Sequence, residues 1–180
     1  MESKVVLQPV GSPKAQEHFV RTIQGAVDIS IVKRFISPKS AERLSKLYPD
    51  GKVRLWGVKN GGNSRNEGMW GKIVEGDLVL FFRSGGLFAY GRVAAKMKNK
   101  ALAEELWKTD EDKELWENIY CVTDVKFLKV QMPYNAFNKA AGYEKQYFVR
   151  GFSVLSREKS EELLRNLNLK KTPWLKPLKN

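Results

Sequence analysis

The chain has few of the residue types from which metal sites and covalent catalytic sites are built. Its 180 residues include one cysteine, Cys121, and one histidine, His18. A single cysteine excludes an internal disulfide and a multi-cysteine zinc site, and the apolar run 119–122 predicts that Cys121 is a buried thiol. A single histidine cannot form a histidine metal site, and it cannot supply both groups that assist the nucleophile of a hydrolytic triad.

Long apolar runs are also missing. No stretch approaches the roughly 20 apolar residues of a membrane span, and the start of the chain lacks the apolar segment of a signal peptide. We therefore predict a cytoplasmic protein without a membrane partner.

Motifs for nucleotides and catalytic metals are absent too. The sequence has no GxxxxGK[ST] phosphate loop, no HExxH, and no GxGxxG followed by a helix. Asp110, Glu111 and Asp112 are adjacent acids in a charged loop, a pattern that favours a solvated turn over a metal cage. We expect no metal, no cofactor and no enzymatic activity in this chain.

Positive charge, in contrast, is abundant. Lysine and arginine number 32 against 20 acids, which gives a net charge of +12, and the pI is about 9.8. Such an excess is typical of a protein that contacts phosphates, although a lysine-rich soluble surface has the same composition. At this length one domain is expected.

Local patterns predict an α+β chain. Residues 1–16, with Pro9, Gly11 and Pro13, indicate a loose lead-in, and the basic segment 168–180 indicates a linker. Helices are predicted over 27–35, after Ser37-Pro38, after an Asn99 cap and after a Ser156 cap. The predicted strands are 18–23, 52–58, 78–82, 87–97, 119–130 and 147–155.

The order of these elements favours one architecture. Strands joined by hairpins or long connections, with short helices between them, predict a curled antiparallel sheet or barrel with helices packed outside. A doubly wound parallel fold is disfavoured because strand and helix do not alternate regularly.

Tryptophans suggest how an anionic partner could be recognised. Trp56 lies near the end of the predicted strand 52–58, close to the Gly- and Asn-rich loop 59–64. Trp107 and Trp116 flank a polar loop, where we expect them to be exposed. Stacking on an aromatic ring contributes about 1–3 kcal/mol per base, which helps to offset the cost of flipping a base out of a duplex. The alternative is that each tryptophan is a core residue, and we expect this of Trp70.

The order of several motifs resembles the EVE domain. Leu55-Trp56-Gly57-Val58 precedes Asn60 and Asn63, and Met69-Trp70-Gly71 then leads into Gly76-Asp77-Leu78-Val79-Leu80-Phe81. EVE domains are related to YTH domains, the readers of N6-methyladenine, within the PUA-like barrel superfamily. Later residues, from Leu102 to Phe152, resemble the EVE-like modules at the N-termini of McrB-type restriction NTPases, in which a separate AAA+ motor follows the module that senses modified DNA.

This resemblance implies a set of site residues. The base-binding cage would consist of Trp56, Trp107 and Trp116. Arg150 matches a basic residue that contacts phosphate, whereas Gly151 stands where the family often has an acid, so the base edge would be read by other groups. The predicted edge and loop residues are Gly57, Asn60, Asn63, Thr22 and Gln24, and the predicted phosphate contacts are Arg150, Lys59, Arg65 and Arg83.

The same resemblance implies a function. We expect residues 1–167 to bind duplex DNA that carries a methylated base, N6-methyladenine rather than a modified cytosine, as the recognition domain of a defence system. Segment 168–180 would lead to the motor, through which the full-length protein would oligomerise and act with a nuclease subunit. Two alternatives stay open at this point: a PUA-like module for modified RNA, and a small-ligand or protein-interaction domain.

Overall fold

The computed structural model describes residues 3–108 and 114–167. In chain order its elements are β1 (Val5–Pro9), α1 (Pro13–Phe19), a π-helical turn (Val20–Gln24), β2 (Val27–Asp28), α2 (Ile29–Lys33), α3 (Pro38–Leu47), β3 (Lys52–Val53), β4 (Leu55–Val58), a 3-10 turn (Gly62–Ser64), α4 (Arg65–Gly71), β5 (Leu78–Arg83), β6 (Gly86–Lys98), α5 (Lys100–Trp107), β7 (Asn118–Pro133), α6 (Tyr134–Ala141), β8 (Ser153–Val154) and α7 (Arg157–Leu167). The predicted α+β class is confirmed. The chain divides into two compact units.

The strands form a six-stranded sheet in the order β4-β7-β6-β5-β1-β8, and β2 pairs separately with β3. The pairs β4–β7 and β5–β6 are antiparallel, as expected for the predicted antiparallel sheet. The strand β1, which was not predicted, pairs antiparallel with β8 and parallel with β5. The strands β6 and β7 contribute residues to both units.

The first unit contains the described residues among 3–11, 76–92 and 124–167. Its core includes Leu7, Leu80 and Phe82 from the sheet together with Phe137 of α6 and Leu163 of α7. A glycine is required at the β5–β6 hairpin. A β-carbon on Gly86, whose φ is +135°, would lie 2.0 Å from the backbone oxygen of Met132.

The beginning of this unit corrects a prediction. Within the predicted loose lead-in, β1 is a buried strand that pairs with β5 and β8, and Val5, Val6 and Leu7 are fully buried. The Val5 amide donates to Ser160 Oγ of α7 at 3.0 Å. The composition of 1–16 is rich in turn formers, but the short run from Val5 to Leu7 is apolar enough to occupy the sheet interior.

The second unit contains the described residues among 12–75 and 93–123. Its core includes Leu44 of α3, Leu55 of β4, Leu102 and Leu106 of α5, and Cys121 of β7. The predicted caps of two helices are confirmed here, since Ser37 Oγ accepts from the Ser40 amide at 3.2 Å and Asn99 Oδ1 accepts from the Leu102 amide at 2.9 Å.

Two segments differ from their predicted secondary structure in this unit. The predicted strand 18–23 is helical, because its buried residues continue a helical spacing that begins at Ala15: Ala15, His18, Phe19, Thr22 and Ile23. The predicted helix 27–35 starts as β2 and becomes helical only after the Asp28 cap, whose carboxylate accepts from the Ser30 amide at 2.9 Å.

In the last third of the chain, the predicted strand is shorter than expected and the predicted helix cap is present. The predicted strand 147–155 is reduced to β8, and Asn138 binds part of the preceding segment through its side-chain amide. The Ser156 cap is confirmed, because its hydroxyl accepts from the Lys159 amide at 3.3 Å. The predicted linker 168–180 lies outside the described residues.

Candidate nucleic-acid interface

The three predicted cage tryptophans come together in the second unit. Trp56 lies in β4, Trp107 is the last residue of α5, and Trp116 precedes β7. The rings of Trp56 and Trp116 meet edge to face, with centroids 5.6 Å apart and planes at 88°. We call these three residues the tryptophan cluster.

Gly57 allows the cluster to form. A β-carbon at this position would lie 2.7 Å from Cζ3 of Trp107 and 2.7 Å from Cβ of Trp116, which is closer than side chains tolerate. Gly57 was predicted as a base-edge residue. In the structure its missing side chain leaves the space that the two neighbouring tryptophans occupy.

The exposure of the cluster differs from the prediction. Trp56 is fully buried and Trp107 is 2% exposed, although both were expected at an accessible rim. Trp107 lies on the buried face of the amphipathic α5, together with Leu102, Ala103 and Leu106, so its position beside a polar loop does not expose it. Trp116 is half-buried.

Two aromatic residues that the sequence did not single out complete the cluster. The His18 ring meets the Trp116 ring edge to face at 4.9 Å and lies 6.1 Å from the Trp107 ring. The Phe19 ring is 6.0 Å from that of Trp56. The helical spacing of buried residues from Ala15 to Ile23 is the signal that could have identified them.

Thr22 and Gln24, two further predicted edge residues, differ in their exposure. The Thr22 hydroxyl is buried and lies 2.7 Å from the backbone oxygen of Leu55 and 3.0 Å from that of His18. The single hydroxyl proton is therefore donated to a backbone oxygen, and the contact with Leu55 connects the π-helical turn to β4. Gln24 is exposed at the end of this turn.

A polar network follows the cluster along β4 and β7. The Asn60 amide donates to Glu117 Oε1 at 3.0 Å, and Asn60 Oδ1 accepts from the Asn118 amide at 2.7 Å. The Asn118 amide also donates to the backbone oxygen of Val58 at 3.1 Å. Because Glu117 Oε1 accepts from the Asn60 side-chain amide, the Asn60 oxygen faces Asn118, and this arrangement fixes the orientation of both asparagine side chains.

Several buried polar atoms of the described residues form no hydrogen bond, and two of them bear on this site. Asn118 Oδ1 and Trp107 Nε1 have no hydrogen-bond partner among the described residues. Buried polar atoms are normally paired, so an unpaired acceptor and an unpaired donor need an explanation, such as a ligand. Asn60, a predicted edge residue, is instead engaged by Glu117 and Asn118 and acts on the orientation of Asn118.

The loop after β4 has the backbone that its composition predicted. Gly61, Asn63 and Ser64 have φ angles of +72°, +52° and +54°, in the left-handed region. The backbone N–H of Asn66 donates to the backbone oxygen of Asn60 at 2.9 Å and closes the loop. Asn63, a predicted edge residue, is exposed.

The four predicted phosphate contacts fall into two groups. Lys59 and Arg65 belong to the second unit, where Lys59 Nζ lies 5.8 Å from the Trp116 ring centroid and Arg65 is exposed at the first residue of α4. Arg83 and Arg150 are exposed in the first unit, and the Arg83 guanidinium lies 4.6 Å from the Phe88 ring centroid.

Trp70, which was predicted to be a core residue, is half-buried on α4. Its Nε1 donates to the backbone oxygen of Ile119 at 3.2 Å, and Lys96 Nζ lies 4.8 Å from its ring centroid. Its polar edge and the lysine explain why the side chain remains near the surface.

Metal-binding groups and membrane-spanning helices are both missing from the described part of the chain. Within 3–108 and 114–167, no group of three or more His, Cys, Asp or Glu residues could hold a metal ion. Over the same residues, none of the helices combines the length and the apolar character that crossing a membrane requires.

Comparison with known proteins supports the fold prediction. No protein-family model matches the chain, and no curated protein matches it. Among solved structures, the N-terminal domain of Thermococcus gammatolerans McrB bound to m5C DNA matches with a TM-score of 0.67 and 15% identity, over 94% of this chain and 100% of that chain. At this identity the likeness establishes the fold, and the predicted PUA-like α+β fold is confirmed. The chain has the fold of an McrB N-terminal domain.

Proposed function

We propose that this chain binds DNA carrying a methylated base and holds that base, flipped out of the duplex, against the tryptophan cluster. The observation that carries the proposal is the shared fold with a domain that was solved bound to m5C DNA. The positive charge of the chain and the clustering of three tryptophans support it. Any NTPase or nuclease activity would reside in other domains or subunits.

Base binding requires the cluster to open. A base stacks between two parallel rings, whereas Trp56 and Trp116 meet edge to face. Trp116 is the half-buried member, and its ring is packed on one edge by His18. We infer that Trp116 rotates to admit the base, while Trp56 and Trp107 form the fixed walls because both are buried.

The unpaired buried atoms provide hydrogen bonds for the base edge. Adenine and cytosine each present an exocyclic amine beside a ring nitrogen that accepts a hydrogen bond. In the proposed complex Asn118 Oδ1 accepts from the amine and Trp107 Nε1 donates to the ring nitrogen. Both N6-methyladenine, which keeps one N–H, and 5-methylcytosine satisfy this pair.

Lys59, which lies over the Trp116 ring, would hold a phosphate near the same site, and we propose Arg65 as a further phosphate contact of the second unit. Contacts of this kind position the duplex without reading its sequence. We propose Arg83 and Arg150 as phosphate contacts of the first unit.

The test is a binding assay with matched duplexes that carry adenine, N6-methyladenine, cytosine or 5-methylcytosine, beside the same sequence as RNA. Wild type should prefer one methylated duplex by about tenfold or more, and Trp116→Ala should abolish the preference. Trp116 is a better target than Trp56, whose truncation would cost about 3–5 kcal/mol of stability.

Trp70→Ala is the matched control, because it removes a half-buried tryptophan outside the cluster and should keep the methyl preference. Asn118→Leu should weaken binding of both methylated duplexes relative to wild type. Equal binding of all duplexes by wild type would refute the proposal, and a preference for the RNA would favour a modified-RNA module instead.

A further inference from the structure

Two exposed aromatic side chains lie on one short segment of the first unit. Among the exposed large hydrophobic residues of the described chain, Tyr147 and Phe148 are the aromatic ones, at 38% and 49% exposure. We call residues 143–150 the aromatic segment. It follows α6 and includes Tyr143, which is half-buried.

A buried side chain fixes the shape of the aromatic segment. The amide of Asn138, which is fully buried, donates to the backbone oxygens of Lys145 at 3.1 Å and Tyr147 at 2.9 Å. The Tyr143 amide donates to the Asn138 backbone oxygen at 2.9 Å, and the Tyr147 amide donates to the Glu144 oxygen at 2.9 Å. The exposure of Tyr147 and Phe148 is therefore a property of an ordered loop.

The two rings are also supported from one side. The Tyr147 ring lies 4.4 Å from that of Tyr143, and the Phe148 ring meets that of Tyr134 at 4.9 Å and 70°. Tyr134 in turn stacks on Phe82 of the core, with planes at 19°. An aromatic ring held in this way loses little conformational entropy when a ligand stacks on it.

The charge around the rings is positive. Lys139, Lys145 and Arg150 are exposed over 139–150, against one exposed acid, Glu144. Aromatic rings beside lysine and arginine are the pattern with which proteins bind single-stranded nucleic acid, because the rings stack on bases while the cations contact the phosphates.

Other partners fit the segment less well. A stable protein interface takes about 800 Å² from each partner and has an apolar centre, which two neighbouring rings do not provide. Adsorption to a lipid surface takes the apolar face of a helix, whereas these rings lie on a loop.

We propose that the aromatic segment is a second nucleic-acid site, at which Tyr147 and Phe148 stack on unpaired bases of single-stranded DNA while Lys145 contacts its phosphates. This site does not depend on base methylation. It lies in the first unit, whereas the tryptophan cluster lies in the second, and neither proposal requires the other.

The test uses the full chain and an unmethylated single-stranded DNA oligonucleotide at near-physiological salt. Combined Tyr147→Ser and Phe148→Ser should weaken binding about tenfold or more, as expected from the loss of at least one stacked base. Lys145→Gln should reduce the slope of log affinity against log salt. Val130→Ser is the control, since Val130 is a 57% exposed apolar residue outside the segment and its loss should not change binding.

Two further measurements separate this site from the proposed methyl-base site. The Tyr147→Ser, Phe148→Ser variant should keep the ratio of affinities for methylated and unmethylated duplexes. The same two substitutions, added to Trp116→Ala, should still weaken binding of single-stranded DNA about tenfold. The inference is overturned if this double variant binds the oligonucleotide as tightly as wild type does. Tenfold tighter binding of the same sequence as RNA would overturn the assignment to DNA.

Discussion

Gly57 and Trp116 are in such close contact that no other residue fits at position 57: a β-carbon there would lie 2.3 Å from the backbone oxygen of Trp116. The contact is made by backbone, so rotation of a side chain cannot relieve it. The position of Trp116, and with it the geometry of the tryptophan cluster, therefore depends on the lack of a side chain at Gly57.

Gly57→Ala should therefore lower the free energy of unfolding by about 1–3 kcal/mol, the usual cost of overpacking a core. Gly68→Ala is the matched control. Gly68 lies inside α4, and apart from its chain neighbours and the backbone of its own helix no atom lies within 4 Å of its would-be β-carbon, so alanine should stabilise the helix by up to about 1 kcal/mol. Urea unfolding of both variants measures the difference, and wild-type stability of Gly57→Ala would contradict the packing argument.

Asn60→Ala should destabilise the protein by about 1–3 kcal/mol, because it removes the hydrogen bond to the buried Glu117 carboxylate and the acceptor for Asn118. Asn63→Gly should leave stability unchanged. Asn63 is exposed, and glycine tolerates its φ of +52°. Thermal unfolding distinguishes the two asparagines, and equal melting temperatures would show that the network contributes no net stability.

Burial raises the pKa of the Cys121 thiol to about 12, from an ordinary value of 9.0. Above pH 9 the unfolded chain releases this proton while the folded chain keeps it, so stability should fall as pH rises from 9 to 12. Urea unfolding over this range should show a smaller decline for Cys121→Ala than for wild type. A thiol reagent should modify Cys121 at pH 8 only when denaturant is added, and rapid modification without denaturant would refute the burial.

Lys59→Gln and Arg65→Gln should each weaken DNA binding uniformly across sequences and reduce the slope of log affinity against log salt by about one. Lys46→Gln is the control, because Lys46 is an exposed lysine of the same unit that is paired with Glu42 at 2.7 Å on α3. Titrations at several salt concentrations give the slopes. A change for Lys46→Gln as large as for the other two would indicate that only total charge matters.

Local signals in the sequence were sufficient for part of the fold. Ser37-Pro38 and the Asn99 cap placed the starts of α3 and α5, because capping depends on residues within one turn of a helix. The parallel pairing of β1 with β5 was not predictable in this way, since it joins residues such as Val5 and Leu78 that are distant in the chain.

The candidate site, like the fold, could be predicted from local sequence signals only in part. The sequence singled out Trp56, Trp107 and Trp116, and the fold does bring them together, but their burial depends on Gly57 and on the packing of α5. The roles of Glu117 and Asn118 were missed because each is an ordinary polar residue until the β4–β7 register places them beside Asn60.

The position of β1 also affects the order in which the protein can fold. Val5 and Val6 can enter the sheet only after their partners Leu78 and Val154 have been synthesised. The hydrogen bond from the Val5 backbone N–H also requires Ser160. During synthesis the residues of β1 leave the ribosome long before these neighbours exist, and contacts of such long sequence separation form slowly. The apolar residues of β1 thus lack their partner strands until residues 78 and 154 have been synthesised, and we expect chaperone contact or premature association to begin at this strand.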